Sequence, residues 1–211
     1  MSTIDHLFIT KIYNSRLRGR GTKILNDQLM QAVAVLSQDD TAGQRWCKAN
    51  AYKGYTSYAS LDDLVWRMPE FHALKLHLDD HIATFLADLD YDLDGQTLEL
   101  DNLWVNVLAP EGAHAAHIHP HSIISGTYYV AVPKGAAAIR FEDPRLSMMM
   151  AAPVRRKDAR LENRTFVSVQ PKAGTVLLWE SWLRHDVPTN QSTAERISIS
   201  FNYRLAPKTP V

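Results

Sequence analysis

The stretch Arg196-Ile197-Ser198-Ile199-Ser200-Phe201-Asn202-Tyr203 alternates without a break. Arg196, Ser198, Ser200 and Asn202 occupy one parity, and Ile197, Ile199, Phe201 and Tyr203 the other. Successive side chains of a β-strand point to opposite faces, so this is a strand with one wholly polar and one wholly apolar face. Two placements satisfy that pattern. The polar face lies in water on an ordinary surface strand, or it lines a ligand cavity inside a barrel whose outer, apolar face is covered. The strand alone does not choose between them; what lies upstream does.

Short β-rich runs recur from residue 97 onward, at 98–108, 123–132, 137–141, 165–169, 175–179 and 196–204. Pro, Gly, Asn and Asp punctuate the gaps, as in Pro110-Glu111-Gly112 and Pro133-Lys134-Gly135. Turns at that density predict an antiparallel sandwich or barrel of jelly-roll type. The front differs. Leu25, Leu29, Val33 and Leu36 form one helical stripe, and Phe71, Leu74, Leu78, Ile82 and Phe85 a second, with Pro69 at the first turn. Residues 52–60 read as a loop or short extended piece. The expected organisation is one domain over 1–211. A helical portion, 1–95, packs on the outer sheet face of a jelly-roll core, 96–206.

Bulk properties narrow the function. The chain has 211 residues, of which 45% are hydrophobic, enough for one good-sized core. Lys plus Arg and Asp plus Glu are 23 each, so nothing electrostatic favours nucleic acid or an anionic membrane. The single cysteine, Cys47, excludes an intrachain disulfide and a Cys-rich zinc site. No apolar run approaches a membrane span and no signal peptide is evident, which predicts a cytoplasmic protein. The oligomeric state stays open, a homo-oligomer included.

Four histidines, His114, His117, His119 and His121, fall within eight residues. His117-Ile118-His119 is a His-x-His step that places two imidazoles on one side of an extended chain. His185 lies far downstream, and Arg196 follows it by eleven residues. Facial iron sites of oxygenases use two nearby ligands and a distant histidine, leaving positions open for substrate and dioxygen. An arginine facing such a site suits the far carboxylate of a dicarboxylate cosubstrate, with Ser198 beside it as a further donor. Each piece alone is common; their combination at this spacing is specific.

These stretches carry a resemblance to a family: His117-Ile-His-Pro-His-Ser122, Ser125-Gly-Thr-Tyr-Tyr-Val130, Phe141-Glu-Asp-Pro-Arg145, Ser181-Trp-Leu-Arg-His185 and Arg196-Ile-Ser-Ile-Ser-Phe-Asn202. With Trp104-Val-Asn106 and Gly54-Tyr-Thr-Ser57 upstream, the chain resembles a bacterial family of 2-oxoglutarate/iron(II) oxygenases. The resemblance implies a double-stranded β-helix, a mainly β fold with flanking helices and a cupin-like barrel. It implies Fe(II), with 2-oxoglutarate and dioxygen as small-molecule cosubstrates, and hydroxylation of a substrate it does not name. By this likeness His117 is the first metal ligand, His185 the distal one and Arg196 the cosubstrate anchor. Asn106 and Tyr128, on strands expected to line the same cavity, are candidate hydrogen-bond partners for the cosubstrate. One position departs from the wider superfamily: His119 stands where an aspartate or glutamate is usual.

Competing features were weighed. His77 and His81 flank Leu78 on the helix that carries the second stripe, where the zinc-protease pattern would need glutamate in place of Leu78. A two-residue register change would exchange His117 for His121. Glu142 and Asp143 are candidate carboxylates near the site. The segment 146–163, with Met148-Met149-Met150, is either a surface loop or a lid. Two other functions fit less fully. A cupin-like three-histidine dioxygenase leaves Arg196 without a role, and a non-catalytic barrel would bind metal without turnover.

Overall fold

A computed structural model describes residues 2–17, 19 and 21–208. Its centre is a pair of antiparallel sheets forming a jelly roll. The larger has the order β1-β8-β5-β10-β3-β2 and the smaller β4-β9-β6-β7. The strands are β1 Ile12–Arg16, β2 Gly54–Thr56, β3 Gln96–Leu108, β4 His114–His117 and β5 Ile124–Ala131. They continue with β6 Ile139–Glu142, β7 Phe166–Val169, β8 Thr175–Glu180, β9 His185–Val187 and β10 Arg196–Pro207.

The two expected helices are present as α1, Thr22–Asp39, and α4, Pro69–Leu89; α2, Thr41–Ala49, and α3, Leu64–Arg67, fill the span between them. Both apolar stripes are buried: Leu25, Leu29, Val33 and Leu36 of α1, and Phe71, Leu74, Leu78, Ile82 and Phe85 of α4. They pack on Leu103, Val105 and Val107 of β3 and on Ile199, Phe201 and Tyr203 of β10. The apolar parity of the last strand is thus the floor of the helix layer, and its polar parity turns into the barrel. The surface-strand placement fails, because Arg196, Ser198 and Asn202 are all buried. A second cluster, including Phe141, Leu177, Trp179 and Leu183, fills the space between the sheets.

The helical front also contributes strands. Ile12–Arg16 extends the large sheet beside β8, and Gly54–Thr56 beside β3, within the stretch read as loop or extended. Among the described residues no helix is long and apolar enough to cross a membrane.

β10 is the spine. It pairs with β3 as Ser198↔Asn106, Ser200↔Trp104 and Asn202↔Asn102. On its other edge it pairs with β5 as Ser198↔Tyr129, Ser200↔Thr127 and Asn202↔Ser125. Cross-strand neighbours share a face, so the polar stripe of β10 is widened on both sides. This corrects one expectation: Tyr128 is opposite Ile199, on the helix side. Its hydroxyl donates to Asn26 Oδ1 of α1 at 2.8 Å, away from the barrel interior.

Candidate metal centre

The interior of the jelly roll holds a cavity of about 470 Å³. His117, His119, His185, Arg196, Ser198 and Asn106 all lie on its wall. Pairing of β4 with β9 sets His117 directly across from His185, so two histidines 68 positions apart become cross-strand neighbours. His119 lies just past the end of β4, where its backbone N–H donates to Ser181 O at 3.0 Å. The His-x-His step therefore keeps its shared side although only His117 is in the strand.

The three rings form a tight group. Centroids of His117 and His185 are 4.5 Å apart, and those of His119 and His185 are 5.2 Å apart. One nitrogen from each lies within 4.8 Å of the others. The remaining nitrogens show which. His117 Nδ1 faces Ala115 O at 2.7 Å, His185 Nδ1 faces Leu183 O at 2.9 Å, and His119 Nδ1 faces Asn202 Oδ1 at 2.7 Å. Carbonyl oxygens only accept, so each Nδ1 carries a proton, and in the neutral ring Nε2 keeps its lone pair. His119 Nε2 is buried and has no hydrogen-bond partner. Three neutral imidazoles, each held by an outer hydrogen bond, with their lone pairs turned to one point, are a donor set suited to a divalent first-row metal.

Burial keeps the rings of His119 and His185 neutral. It pulls His185 down to about 3 and His119 down to about 4, because a charged imidazole there would lose its hydration. The buried Trp179 packs edge-on against His185 at 4.7 Å, and Trp104 stacks on His119 at 5.9 Å. These two indoles fix the rings between them.

The competing ligands are disposed of by their partners. Glu142 pairs with Arg184 at 3.3 Å and Asp143 with Arg145 at 2.9 Å. His121 is exposed and adopts a positive φ of 69°, outside the cluster. His81 Nδ1 meets Tyr13 OH at 2.7 Å on α4, far from the cavity wall. The three-histidine group is the one cluster of metal-ligating type among the described residues.

Arg196 lies at the inner part of the cavity and is 2% exposed. Its guanidinium sits over the ring of Tyr129, 4.9 Å from the centroid. Among the described residues no carboxylate pairs with it, and its Nε lacks a hydrogen-bond partner. A buried, unpaired cation is costly to maintain, so the position calls for an anionic ligand. Tyr129 OH is likewise buried, with no well-formed hydrogen bond, and lies close enough to the Arg196 guanidinium to feel its charge. Sequence reasoning named Tyr128 and missed Tyr129. The signal was present: Ser125 and Thr127 share Tyr129's parity, and both line the cavity or bond to its wall. Asn106 accepts from Thr56 Oγ1 at 2.9 Å and donates to Ser200 Oγ at 3.1 Å, leaving one amide hydrogen for a ligand.

The cavity mouth is aromatic, with Trp46, Tyr52 and Tyr58 from the helical front beside Trp104. Tyr52 OH and His114 Nε2 are 3.0 Å apart. The segment 146–163 holds two single 3-10 turns, Leu146–Met148 and Leu161–Asn163. Met148 and Met150 are 74% and 95% exposed and take no part in the wall.

Residues 102–202 match the family model described as "Putative 2OG-Fe(II) oxygenase". No curated protein matches the chain in sequence. Among solved structures, the chain is similar to the epimerase SnoN in complex with Fe3+, alpha ketoglutarate and nogalamycin RO. There the identity is 15%, coverage is 92% of this chain and 79% of that one, and the TM-score is 0.60. It is similar to HygX from Streptomyces hygroscopicus with nickel and 2-oxoglutarate bound, at 15% identity, 92% and 82% coverage and TM-score 0.58. It is also similar to a Pseudomonas putida prolyl-4-hydroxylase, at 12% identity, 92% coverage of both chains and TM-score 0.53. At these identities the structures share the fold.

Proposed function

We propose that this chain is a 2OG-Fe(II) oxygenase, as the match of residues 102–202 to that family's model supports, in which His117, His119 and His185 hold the iron and Arg196 anchors the 2-oxoglutarate. The enzyme is an oxidoreductase that uses Fe(II), 2-oxoglutarate and dioxygen. The bound metal supplies the oxidising step, in which the cosubstrate is decarboxylated to succinate while a carbon of the substrate is oxidised.

The chain's own residues do the rest. His117, His119 and His185 would hold the metal through their Nε2 lone pairs, and the cavity they line would admit the cosubstrate beside it. Arg196 receives the far carboxylate in a two-bond fork, and Tyr129, Ser198 and Asn106 are placed to donate to the same ligand. The indoles of Trp104 and Trp179 exclude water from the ligand rings. The observation that carries the reading is Arg196: a buried guanidinium without a protein carboxylate, on the wall that holds the three histidines. A three-histidine dioxygenase working without a dicarboxylate would leave that charge uncompensated. Cys47 is a buried free thiol, which suits a reducing cytoplasm.

The test is an anaerobic titration of the metal-free chain with Fe(II) and then 2-oxoglutarate. A visible charge-transfer band that needs both additions, and succinate formed on admitting oxygen, is the expected result. Metal binding with no response to 2-oxoglutarate refutes the assignment of Arg196.

A further inference from the structure

We infer that Asn202 is a positioning residue that makes His119 a ligand, by fixing its proton on Nδ1, and that the orientation of Asn202 is set in turn by the rim carboxylate Asp101. The inference rests on the metal reading above.

His117 and His185 each give Nδ1–H to a backbone carbonyl close by in the chain, Ala115 O and Leu183 O. No side-chain substitution removes those acceptors. His119 differs, because its acceptor is the side-chain Oδ1 of Asn202, 83 residues away, at 2.7 Å. An amide has a donor end and an acceptor end. If the Asn202 amide turned over, Nδ2 would face His119, the proton would move to Nε2, and the lone pair would be lost to the centre.

The outer contacts forbid that turn. Asp101 Oδ2 accepts from Asn102 Nδ2 at 3.1 Å. A carboxylate only accepts, so Asn102 must direct Nδ2 outward and Oδ1 inward. Asn102 Oδ1 then accepts from Asn202 Nδ2 at 2.9 Å. That leaves Asn202 Oδ1 for His119, and Ser125 Oγ donates to the same oxygen at 2.7 Å. Asp101 is itself held by Arg204 Nε at 3.1 Å. Each amide in the row is oriented by the one outside it, and the direction begins at a group with no proton to give. The residues come from three strands in register, with Asn102 opposite Asn202 on β3 and Ser125 opposite Asn202 on β5. This arrangement gives a neutral histidine a defined place where the wider superfamily uses a carboxylate, whose two oxygens need no choice of tautomer.

The tests use the full chain, metal-free, with Co(II) as the added ion. Asn202→Leu keeps the volume and removes the acceptor, and should weaken Co(II) binding by about ten- to a hundredfold. Asn202→Asp keeps an acceptor toward His119 while losing the donation to Asn102, and should bind within about threefold of the parent. Asn202→Leu binding as tightly as the parent overturns the inference. So does Asn202→Asp binding as weakly as Asn202→Leu, which would mean that the bond to Asn102, not the one to His119, matters. Long-range nitrogen–proton NMR of the metal-free parent reads the His119 tautomer directly and needs neither variant to fold. A proton on Nδ1 is expected, and a proton on Nε2 overturns the inference. His185→Ala separates the two levels. If it binds Co(II) as the parent does, the metal reading fails, while the tautomer measurement still decides the role of Asn202.

Discussion

Arg196 is the residue whose chemistry most constrains the site. Lysine in its place keeps the charge but offers no planar fork, so two parallel hydrogen bonds to a carboxylate cannot form. Arg196→Lys should weaken 2-oxoglutarate by about 30- to 1000-fold, from a charge-assisted contact worth roughly 2–4 kcal/mol. Metal affinity, measured separately by Co(II) titration, should stay nearly unchanged. Equal 2-oxoglutarate affinity in parent and variant would remove Arg196 from the pocket. The two adjacent tyrosines make a paired test of which side of β5 faces the ligand. Tyr129→Phe should weaken 2-oxoglutarate by roughly tenfold, the worth of one hydrogen bond. Tyr128→Phe should leave that affinity alone and cost about 1 kcal/mol of folding stability, read by urea unfolding, through loss of the bond to Asn26. The reverse pattern would mean the register of β5 is misassigned. The shared cavity wall of His117, His119, His185, Arg196, Ser198 and Asn106 agrees with a sequence reading that drew on spacing, strand parity and the family resemblance together. Tyr128 was misplaced because every residue from Ile124 to Val130 is buried. Burial alone marks no wet face on such a strand; the parity of Ser125 and Thr127 points to Tyr129, and the alignment with β10 bears it out.

At the scale of elements, β10 could be read in full because its two faces meet different surroundings, apolar helices and a polar cavity. β5 beside it shows the limits of packing. Gly126 lies opposite Phe201. A Cβ there would fall 2.4 Å from a Phe201 ring carbon and 2.6 Å from Leu178 Cδ2. The ring occupies the space a side chain would need, under the helix layer. Gly126→Ala should therefore destabilise the chain by about 1–3 kcal/mol, through overpacking. A urea midpoint within error of the parent would show that the layer can yield. Helix α1 and helix α4 were legible because their apolar residues repeat at three and four. β1 was not. Ile12–Arg16 alternates only weakly in burial and owes its extended form to the edge of β8, a partner more than 150 residues away in the chain. Strands β4 and β9 span only four and three residues. Too short to show a period, they are nonetheless the pair that brings His117 opposite His185.

For the molecule as a whole, the site imposes a dependence on pH. His114, His119 and His185 are held neutral by burial, at about 3, about 4 and about 3. In the unfolded chain each titrates near 6.5. Between those limits the unfolded state binds protons that the folded state refuses, so stability rises with pH across that window. The sign is therefore fixed: metal-free stability is highest above about pH 7 and falls as pH drops through about 6.5, until the folded values near 3 to 4 are reached. Each histidine contributes at most about 1.4 kcal/mol per pH unit, and less where solvent still reaches the ring. The carboxylates act lower. Asp143 is held below its usual range chiefly by its hydrogen bond with Arg145, and Asp40 is lowered by Ser60, Gly43 and Tyr55 against the opposing pull of burial. Both are charged over the upper part of the histidine window, and the stability they give is lost only at its acid end and below. A divalent ion adds to the same slope. It binds the deprotonated imidazoles only, so the stabilisation it gives near pH 7 should shrink as protons compete for the three Nε2 atoms. Urea unfolding at about pH 7.5, 6 and 5, with and without Co(II), measures both effects. A midpoint that holds steady from about pH 7 to 5 would show that the folded chain takes up protons on these rings as the unfolded chain does, so that burial does not hold them neutral. Protons would then compete with the ion from about pH 6.5 downward, and the stabilisation by Co(II) would shrink over that same range while the metal-free midpoint did not move.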